Sequence, residues 1–229
     1  LLLVDAVPAV LDKIKDRVPE EAKVKYQLLD LQETKIDGNF EIVVCEGVIP
    51  FQLDPKSFVR NISNSVKHGG LLLITTADAV SSLSEVLRRY IAHKLIAIDT
   101  PNLDNIVIFF AEDFAALPRM TRNPKDWVLD SILNPWVGSF FSIHDATQAL
   151  LYNGFQPVSQ TPSISEDLGW YKEESSNTKV AQDWENRYFS NVHKLIDTRN
   201  VNLSSASPES NQILITECSN IFESMKEFI

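Results

Sequence analysis

Acidic or hydroxyl residues end the apolar runs in the first third of the sequence, and their positions suit them to binding. Asp5, Asp30, Glu46-Gly47 and Thr75-Thr76 each close a run predicted to be a β-strand. Ligands of an open parallel sheet bind beyond the carboxyl ends of its strands. A carboxylate accepts hydrogen bonds from both hydroxyls of a diol, so an acid at this edge is suited to ribose, and Asp30 to an exocyclic amino group. The alternative is that Asp5 and Asp30 only cap helices or form turns.

The elements that position these residues alternate between strand and helix. Period-3.6 apolar spacing predicts helices at 8–18 and after Asp54-Pro55, the second ending at His68-Gly69-Gly70. Apolar runs predict strands over 1–4, 24–29, 40–45 and 71–75, with a later strand at 155–160. This alternation predicts an α/β fold, a doubly wound and mostly parallel sheet.

The remainder of the chain is predicted to be helical. Apolar spacing gives a helix at 81–97, shorter pieces at 105–117 and 125–133 among four prolines, and a helix opened by Ser142 and stopped by Asn153-Gly154. Two amphipathic helices follow at about 180–197 and 210–228. We therefore expect a core of residues 1–78 and 142–162, an inserted helical cap of residues 79–141, and a C-terminal helical extension of residues 163–229.

Composition narrows the class of partner. The chain has 31 acidic against 21 basic residues and a net charge of -10, which disfavours nucleic acid and anionic membranes as partners. No apolar run approaches the ~20 residues of a membrane helix. Cys45, Cys218 and four scattered histidines have no metal-ligand spacing and form no disulfide framework, so we expect no metal and a cytoplasmic location.

Four segments together resemble class I S-adenosylmethionine-dependent methyltransferases, in the order and spacing of that family. VDAVPAVLDKIKDRV resembles the second strand with its acidic loop and helix, and LLDLQE the next acidic motif. FEIVVCEGVIPF resembles the fourth strand and its ending, and VKHGGLLLITT the glycine turn and fifth strand, although His68 stands where the family commonly has Pro. The resemblance covers roughly residues 1–76 and implies a Rossmann-like fold that binds S-adenosylmethionine.

The resemblance also implies roles for individual positions. Asp5 matches the acid that binds the ribose hydroxyls, with Ala6 and Val7 along the same edge. Asp30 and Leu31 match the pair around the adenine. Glu46, Gly47 and Val48 match the segment beside the methionine moiety.

One departure from the family is the glycine-rich loop, because none of the seven glycines lies in a GxGxG-like string. In the family this loop follows a central strand, placed between the strands predicted here at 1–4 and 40–45. Omitting that strand leaves buried backbone groups unpaired, at about 1 to 3 kcal/mol each. We therefore expect an upstream segment that carries the strand; the alternative is a divergent relative whose strands pair differently.

The candidates for the acceptor side come from the cap and the tail. They are the aromatic and titratable residues Trp136, Phe141, His144, Trp170, Tyr171 and Lys172. Lys172 or His144 is suited to meeting a carboxylate or accepting a proton. The alternatives are that Trp136 packs between cap and core, that His144 is solvated, and that Trp170 and Tyr171 anchor the C-terminal helices.

Three functions compete. The first is a methyltransferase with a small-molecule acceptor. The second is a non-catalytic methyltransferase-like scaffold, and the third another nucleotide-binding doubly wound enzyme such as a dinucleotide dehydrogenase. Apolar residues of the last two helices allow either a buried flank or a homodimer surface.

Overall fold

A computed structural model gives the fold, and it describes residues 1–98, 102–117, 121–161, 177–197 and 203–228. The first unit is a strand–helix–strand crossover of β1 (Leu2–Asp5), α1 (Pro8–Lys15) and β2 (Lys25–Leu28). The two strands are parallel, with Asp5 opposite Leu28. Pro8 occupies the first turn of α1, where its missing N–H costs no hydrogen bond. Leu11 of α1 is the one buried apolar residue among residues 1–48.

The second unit repeats this arrangement with β3 (Phe40–Cys45), a 3₁₀ helix (Ile49–Phe51), α2 (Pro55–Ser63) and β4 (Val66–Ile74). Its strands are also parallel, with Cys45 opposite Ile74. The side chain of Asp54 caps α2 by accepting from the backbone N–H of Ser57 at 3.0 Å.

The predicted glycine stop of α2 is wrong. The helix ends at Ser63, and His68-Gly69-Gly70 lie inside β4. Pairing with β3 begins earlier than expected, since Phe40 donates its N–H to the carbonyl of Ser65 at 2.8 Å. The register shifts between Phe40 and Ile42, and Gly69 takes a positive φ of 77° in the same stretch. The glycine at position 69 therefore accommodates the irregular pairing of β3 with β4.

The four strands form two separate parallel pairs, β1–β2 and β3–β4. Among the described residues no strand joins β1 to β3, so a single doubly wound sheet is not formed by these strands. One face of the β3–β4 pair packs against α2 and α7 (Ile143–Tyr152). The other face is apolar and exposed over Ile42, Val44, Leu71 and Leu73. The fold is mixed α/β with short parallel strands.

Helices dominate residues 79–133. They are α3 (Ala79–Ile98), α4 (Leu103–Phe109), α5 (Ala111–Ala116), α6 (Pro124–Trp127) and a π-helix (Val128–Leu133). The helix predicted at 105–117 is two helices, because the chain leaves helical geometry at Phe110. Ala92 of α3 packs in a shared core with Ile106, Phe110, Val128 and Ile132.

The helix α7 confirms the predicted start and stop. Ser142 and Asp145 form a reciprocal capping box, and Gly154 follows the helix with a φ of 82°. The strand predicted at 155–160 is wrong, since residues 155–161 are described and form no strand. Pro157 has no N–H for a ladder, and Val158 is 82% exposed, so the apolar run has no sheet to join.

Two further helices, α8 (Asn177–Asn191) and α9 (Pro208–Met225), confirm the predicted C-terminal pair, and each continues into a 3₁₀ turn, Val192–Ile196 and Lys226–Phe228. Both pack towards α3, which buries Leu195 and Phe222. Ile213 of α9 remains 64% exposed. Within the described ranges, no helix has the length and apolar character needed to span a membrane.

Candidate functional site

Asp5 and Asp30 form the same local structure at the ends of neighbouring strands. The Oδ1 atom of Asp5 accepts from the backbone N–H of Val7 at 2.8 Å. The Oδ1 atom of Asp30 accepts from the backbone N–H of Gln32 at 2.9 Å. The turn-forming alternative therefore holds for one oxygen of each carboxylate.

The second oxygen of each carboxylate is available to a ligand. Asp30 is exposed and Asp5 is half-buried, and neither Oδ2 atom has a hydrogen-bond donor among the described residues. The two acids lie at one edge, because Asp5 is opposite Leu28 and its carbonyl accepts from Leu29 at 3.0 Å. Ala6 and Val7 are exposed beside them. Each carboxylate thus keeps one oxygen without a donor among the described residues, which suits a ligand that presents a diol and an amino group.

Leu31 is half-buried and links the Asp30 loop to the second unit. It packs against the α2–α7 cluster, which consists of Ile49, Phe58, Val59, Ile62, Phe141 and Ala146. The Nδ2 group of Asn61 donates to the carbonyl of Leu31 at 2.8 Å. The loop that carries Asp30 is thus anchored by contacts outside its own unit.

The segment Glu46–Val48 follows β3 at the equivalent edge of the second unit. Gly47 has a φ of 69°, which residues other than glycine rarely adopt, and its N–H donates to Oγ1 of Thr75 at 2.8 Å. Thr75 is itself held by a hydrogen bond from its N–H to the carbonyl of Cys45 at 3.1 Å. Glu46 and Val48 are exposed. The loop after β3 is therefore fixed to the end of β4, with its side chains open to a ligand.

The thiol of Cys45 is poorly suited to act as a nucleophile in this environment. Burial raises the pKa of its thiol to about 11, so the reactive thiolate is scarce at neutral pH. Cys45 is partly buried and packs against the cluster formed by Ile49, Phe58, Val59, Ile62, Phe141 and Ala146.

Two of the predicted acceptor-side residues, Trp136 and Phe141, lie near Ala77, just beyond β4. Phe141 is buried and pairs with Ala77 through two reciprocal backbone hydrogen bonds of 3.1 Å. Trp136 is 8% exposed, and its ring lies 5.4 Å from that of Phe51 in the predicted core and 5.5 Å from that of Phe222 in the predicted C-terminal extension. His144 is partly exposed.

The ring of His144 stacks on that of Tyr188, with centroids 5.7 Å apart. Its Nδ1 atom lies 3.9 Å from a carboxylate oxygen of Glu185. Trp170, Tyr171 and Lys172 lie outside the described residues.

A buried Asp78–Tyr188 pair was not predicted from the sequence. The Tyr188 hydroxyl donates to Oδ2 of Asp78 at 2.5 Å, and the N–H of Val80 donates to Oδ1 at 2.9 Å. Burial raises the pKa of Asp78, although these two hydrogen bonds oppose the rise. Burial is the largest cause that raises the pKa of the Tyr188 hydroxyl, and the negative charge of Asp78 is the second largest. The position of Asp78 before a helix was a usable signal for a cap, whereas nothing in the spacing of α8 marks Tyr188.

The buried position of Arg89 was also not predicted from the sequence. The Arg89 side chain is fully buried, donates to a carboxylate oxygen of Glu85 at 3.0 Å and to the carbonyl of Asn134, and lies over the ring of Trp136 at 5.3 Å. It therefore ties the end of the π-helix to α3.

Comparison with known proteins gives one finding on the family. No curated protein matches the chain. A family model described as "Methyltransferase domain" matches residues 1–74, which span β1 to the end of β4. That stretch contains Asp5, Asp30 and Glu46–Val48. The match therefore confirms, over residues 1–74, the resemblance of this chain to the class I S-adenosylmethionine-dependent methyltransferases.

Proposed function

We propose that this protein is an S-adenosylmethionine-dependent methyltransferase with a small-molecule acceptor. The observation that carries the proposal is the repeated turn of Asp5 and Asp30 inside the matched segment. Each acid uses one carboxylate oxygen to shape its loop and keeps the other for a ligand. Within the proposal, Asp5 binds the ribose hydroxyls with Ala6 and Val7 beside it, and Asp30 with Leu31 binds the adenine.

The second half of the proposed site lies on the loop after β3. Glu46, Gly47 and Val48 hold the methionine moiety, and the fixed hydrogen bond from Gly47 to Thr75 sets the direction of that loop. When bound, S-adenosylmethionine supplies an activated methyl group, so the protein contributes mainly orientation and exclusion of water.

We propose that the cofactor-binding core is a doubly wound sheet in which a further strand lies between β1 and β3.

The acceptor is proposed to bind beyond β4, with Trp136, Phe141 and His144 as its candidate contacts. His144 is the partly exposed titratable group among them, which suits it to accepting a proton or meeting a carboxylate.

Other expectations from the sequence stay predictions. They are the division into core, cap and C-terminal extension, the cytoplasmic location and the homodimer. The net charge of -10 supports a small acceptor over nucleic acid.

The proposal is tested by titrating S-adenosylhomocysteine into the protein by calorimetry. We expect micromolar binding that Asp5→Ala weakens at least about tenfold, because a charged acceptor of the ribose hydroxyls is lost. Asp16→Ala is the matched control, because this exposed acid ends α1, at the opposite end of the helix from the site. A folded sample that gives no heat contradicts the methyltransferase proposal and favours the scaffold, and binding of NADH in its place favours a dehydrogenase.

A further inference from the structure

The two units that carry the proposed cofactor site are joined through very few polar contacts. Asp5 and Asp30 lie on the first unit, and Glu46–Val48 on the second. Residues 1–34 and 40–74 are all described, and every hydrogen bond between these two ranges has Gln32 or Asn61 as one partner. The relative position of the two halves of the site therefore depends on these two side chains and on the packing of Leu31.

Gln32 connects the units in one direction. Its Oε1 atom accepts from the backbone N–H of Leu53 at 3.1 Å and from that of Asp54 at 3.3 Å. Asp54 is the cap of α2, so a single amide oxygen reaches the start of that helix. The backbone of Gln32 also closes the turn of Asp30. A shift of Gln32 would thus move the Asp30 carboxylate.

Asn61 connects the units in the other direction, from the second turn of α2. Its Nδ2 group donates to the carbonyl of Leu31 at 2.8 Å and to that of Gln32 at 3.3 Å. Asn61 is half-buried, between Arg60, which is exposed, and Ile62, which is buried in the α2–α7 cluster. The side-chain amide of Asn61 therefore extends from a well-packed helix to the loop of residues 30–32.

We propose that Gln32 and Asn61 are positioning residues, which hold the Asp30–Leu31 segment of the first unit at a set distance from Glu46–Val48 of the second. The inference rests on the proposed function, because its consequence is measured on a ligand that spans both units. Neither residue needs to touch that ligand. Gln32 and Asn61 act through the backbone of residues 30–32, and a ligand that contacts both loops binds weakly when the loops are free to separate.

The reciprocal pattern of donors and acceptors allows a sharp choice of variants. Asn61→Ala removes both donors, and Gln32→Ala removes the acceptor from a side chain that is only half-buried. Gln32→Glu keeps an acceptor oxygen for the two N–H groups at the start of α2, where the helix dipole tolerates a negative charge. Asn211→Ala is the matched control, since Asn211 donates in the same way to the carbonyl of Phe189 at 2.6 Å, remote from the site.

The experiment measures binding of S-adenosylhomocysteine and of S-inosylhomocysteine, which lacks the exocyclic amino group, by calorimetry, with thermal unfolding as the check on folding. We expect Asn61→Ala and Gln32→Ala to weaken S-adenosylhomocysteine about tenfold or more and to reduce its preference over S-inosylhomocysteine. Gln32→Glu and Asn211→Ala should keep both the affinity and the preference. A merely structural role would lower the melting temperature without changing that preference.

Two outcomes overturn the proposal in distinguishable ways. If the wild-type protein binds and the two alanine variants keep its affinity or its nucleobase preference, the positioning role is wrong while the methyltransferase proposal stands. If the folded wild-type protein binds neither compound, the proposed function fails and the positioning role fails with it.

Discussion

The two strand–helix–strand units share a topology but differ in what holds them. The first unit buries one apolar residue, Leu11, and keeps one carboxylate oxygen of each strand-ending acid free. In the second unit, one face of the β3–β4 pair packs against α2 of the same unit and against α7, which buries the α2–α7 cluster. Packed structure is rigid and polar loops are adaptable, so the second unit is suited to act as a base on which the first is positioned.

The acids that follow the strands also differ, in whether they keep a carboxylate oxygen free. Asp5 and Asp30 each accept one hydrogen bond and remain accessible to solvent. Asp78, four residues beyond β4, is 3% exposed and has both oxygens bonded, one by Val80 and one by Tyr188. An acid near the end of a parallel strand is therefore a ligand-binding candidate only where the protein leaves an oxygen unused.

The prediction with the largest expected effect tests whether the two units differ in how tightly their apolar residues are packed. Ile62→Ala in the α2–α7 cluster should lower the free energy of unfolding by about 2 to 5 kcal/mol, because it leaves a cavity in a packed core. Leu11→Ala should instead raise hydrogen exchange mainly within residues 1–34, with a smaller change in the global transition. Denaturant unfolding with hydrogen exchange measures both. Equal losses of global stability would show that the two units unfold as one body.

A second prediction concerns the buried acid. Burial raises the pKa of folded Asp78 above its ordinary value of 3.8, so the native state holds this proton more tightly than the unfolded chain. Its contribution to stability is therefore complete below pH 3.8 and is lost as the pH rises through the folded pKa.

The measurement is the free energy of unfolding against pH for the wild type and Asp78→Asn. The wild-type value minus the variant value should fall with rising pH, by at most about 1.4 kcal/mol per pH unit. The other carboxylates cancel in this difference. A difference that rises with pH would mean that folding favours the ionised form of Asp78, and the contrast with the strand-ending acids would then be lost.

The smallest expected effect comes from the surface ion pairs, of which each unit has one example. Lys15 lies 2.9 Å from Asp12 in the first unit, and Lys67 lies 2.5 Å from Glu41 in the second. The exposed fraction of these side chains runs from 39% at Lys67 to 76% at Glu41, and such pairs are screened by solvent. Asp12→Ala and Glu41→Ala should leave the melting temperature unchanged within error. A clear loss in one unit alone would mean that its stability has an electrostatic source.

Much of the local structure was predictable because it depends on neighbouring residues. Pro8 and Asp54-Pro55 marked two helix starts, and Ser142 with Asp145 marked a third. The end of α2 was predicted wrongly, since pairing of Phe40 with the chain around Ser65 competes with a glycine stop. The strand at 155–160 was predicted wrongly as well, since an apolar run forms a strand only where a sheet edge receives it.

The sequence by itself indicated the acids that lie at the end of the first three strands or within two residues of it, and their resemblance to one family. Local patterns suffice for these conclusions, because strand periodicity and turn formation depend on a few neighbouring residues. Only the tertiary structure decided that Asp78 is buried against Tyr188, 110 residues away, that Arg89 is internal, and that Gln32 and Asn61 join the two units. These contacts join residues distant in the chain, and no local spacing encodes which side chains meet when separate elements pack.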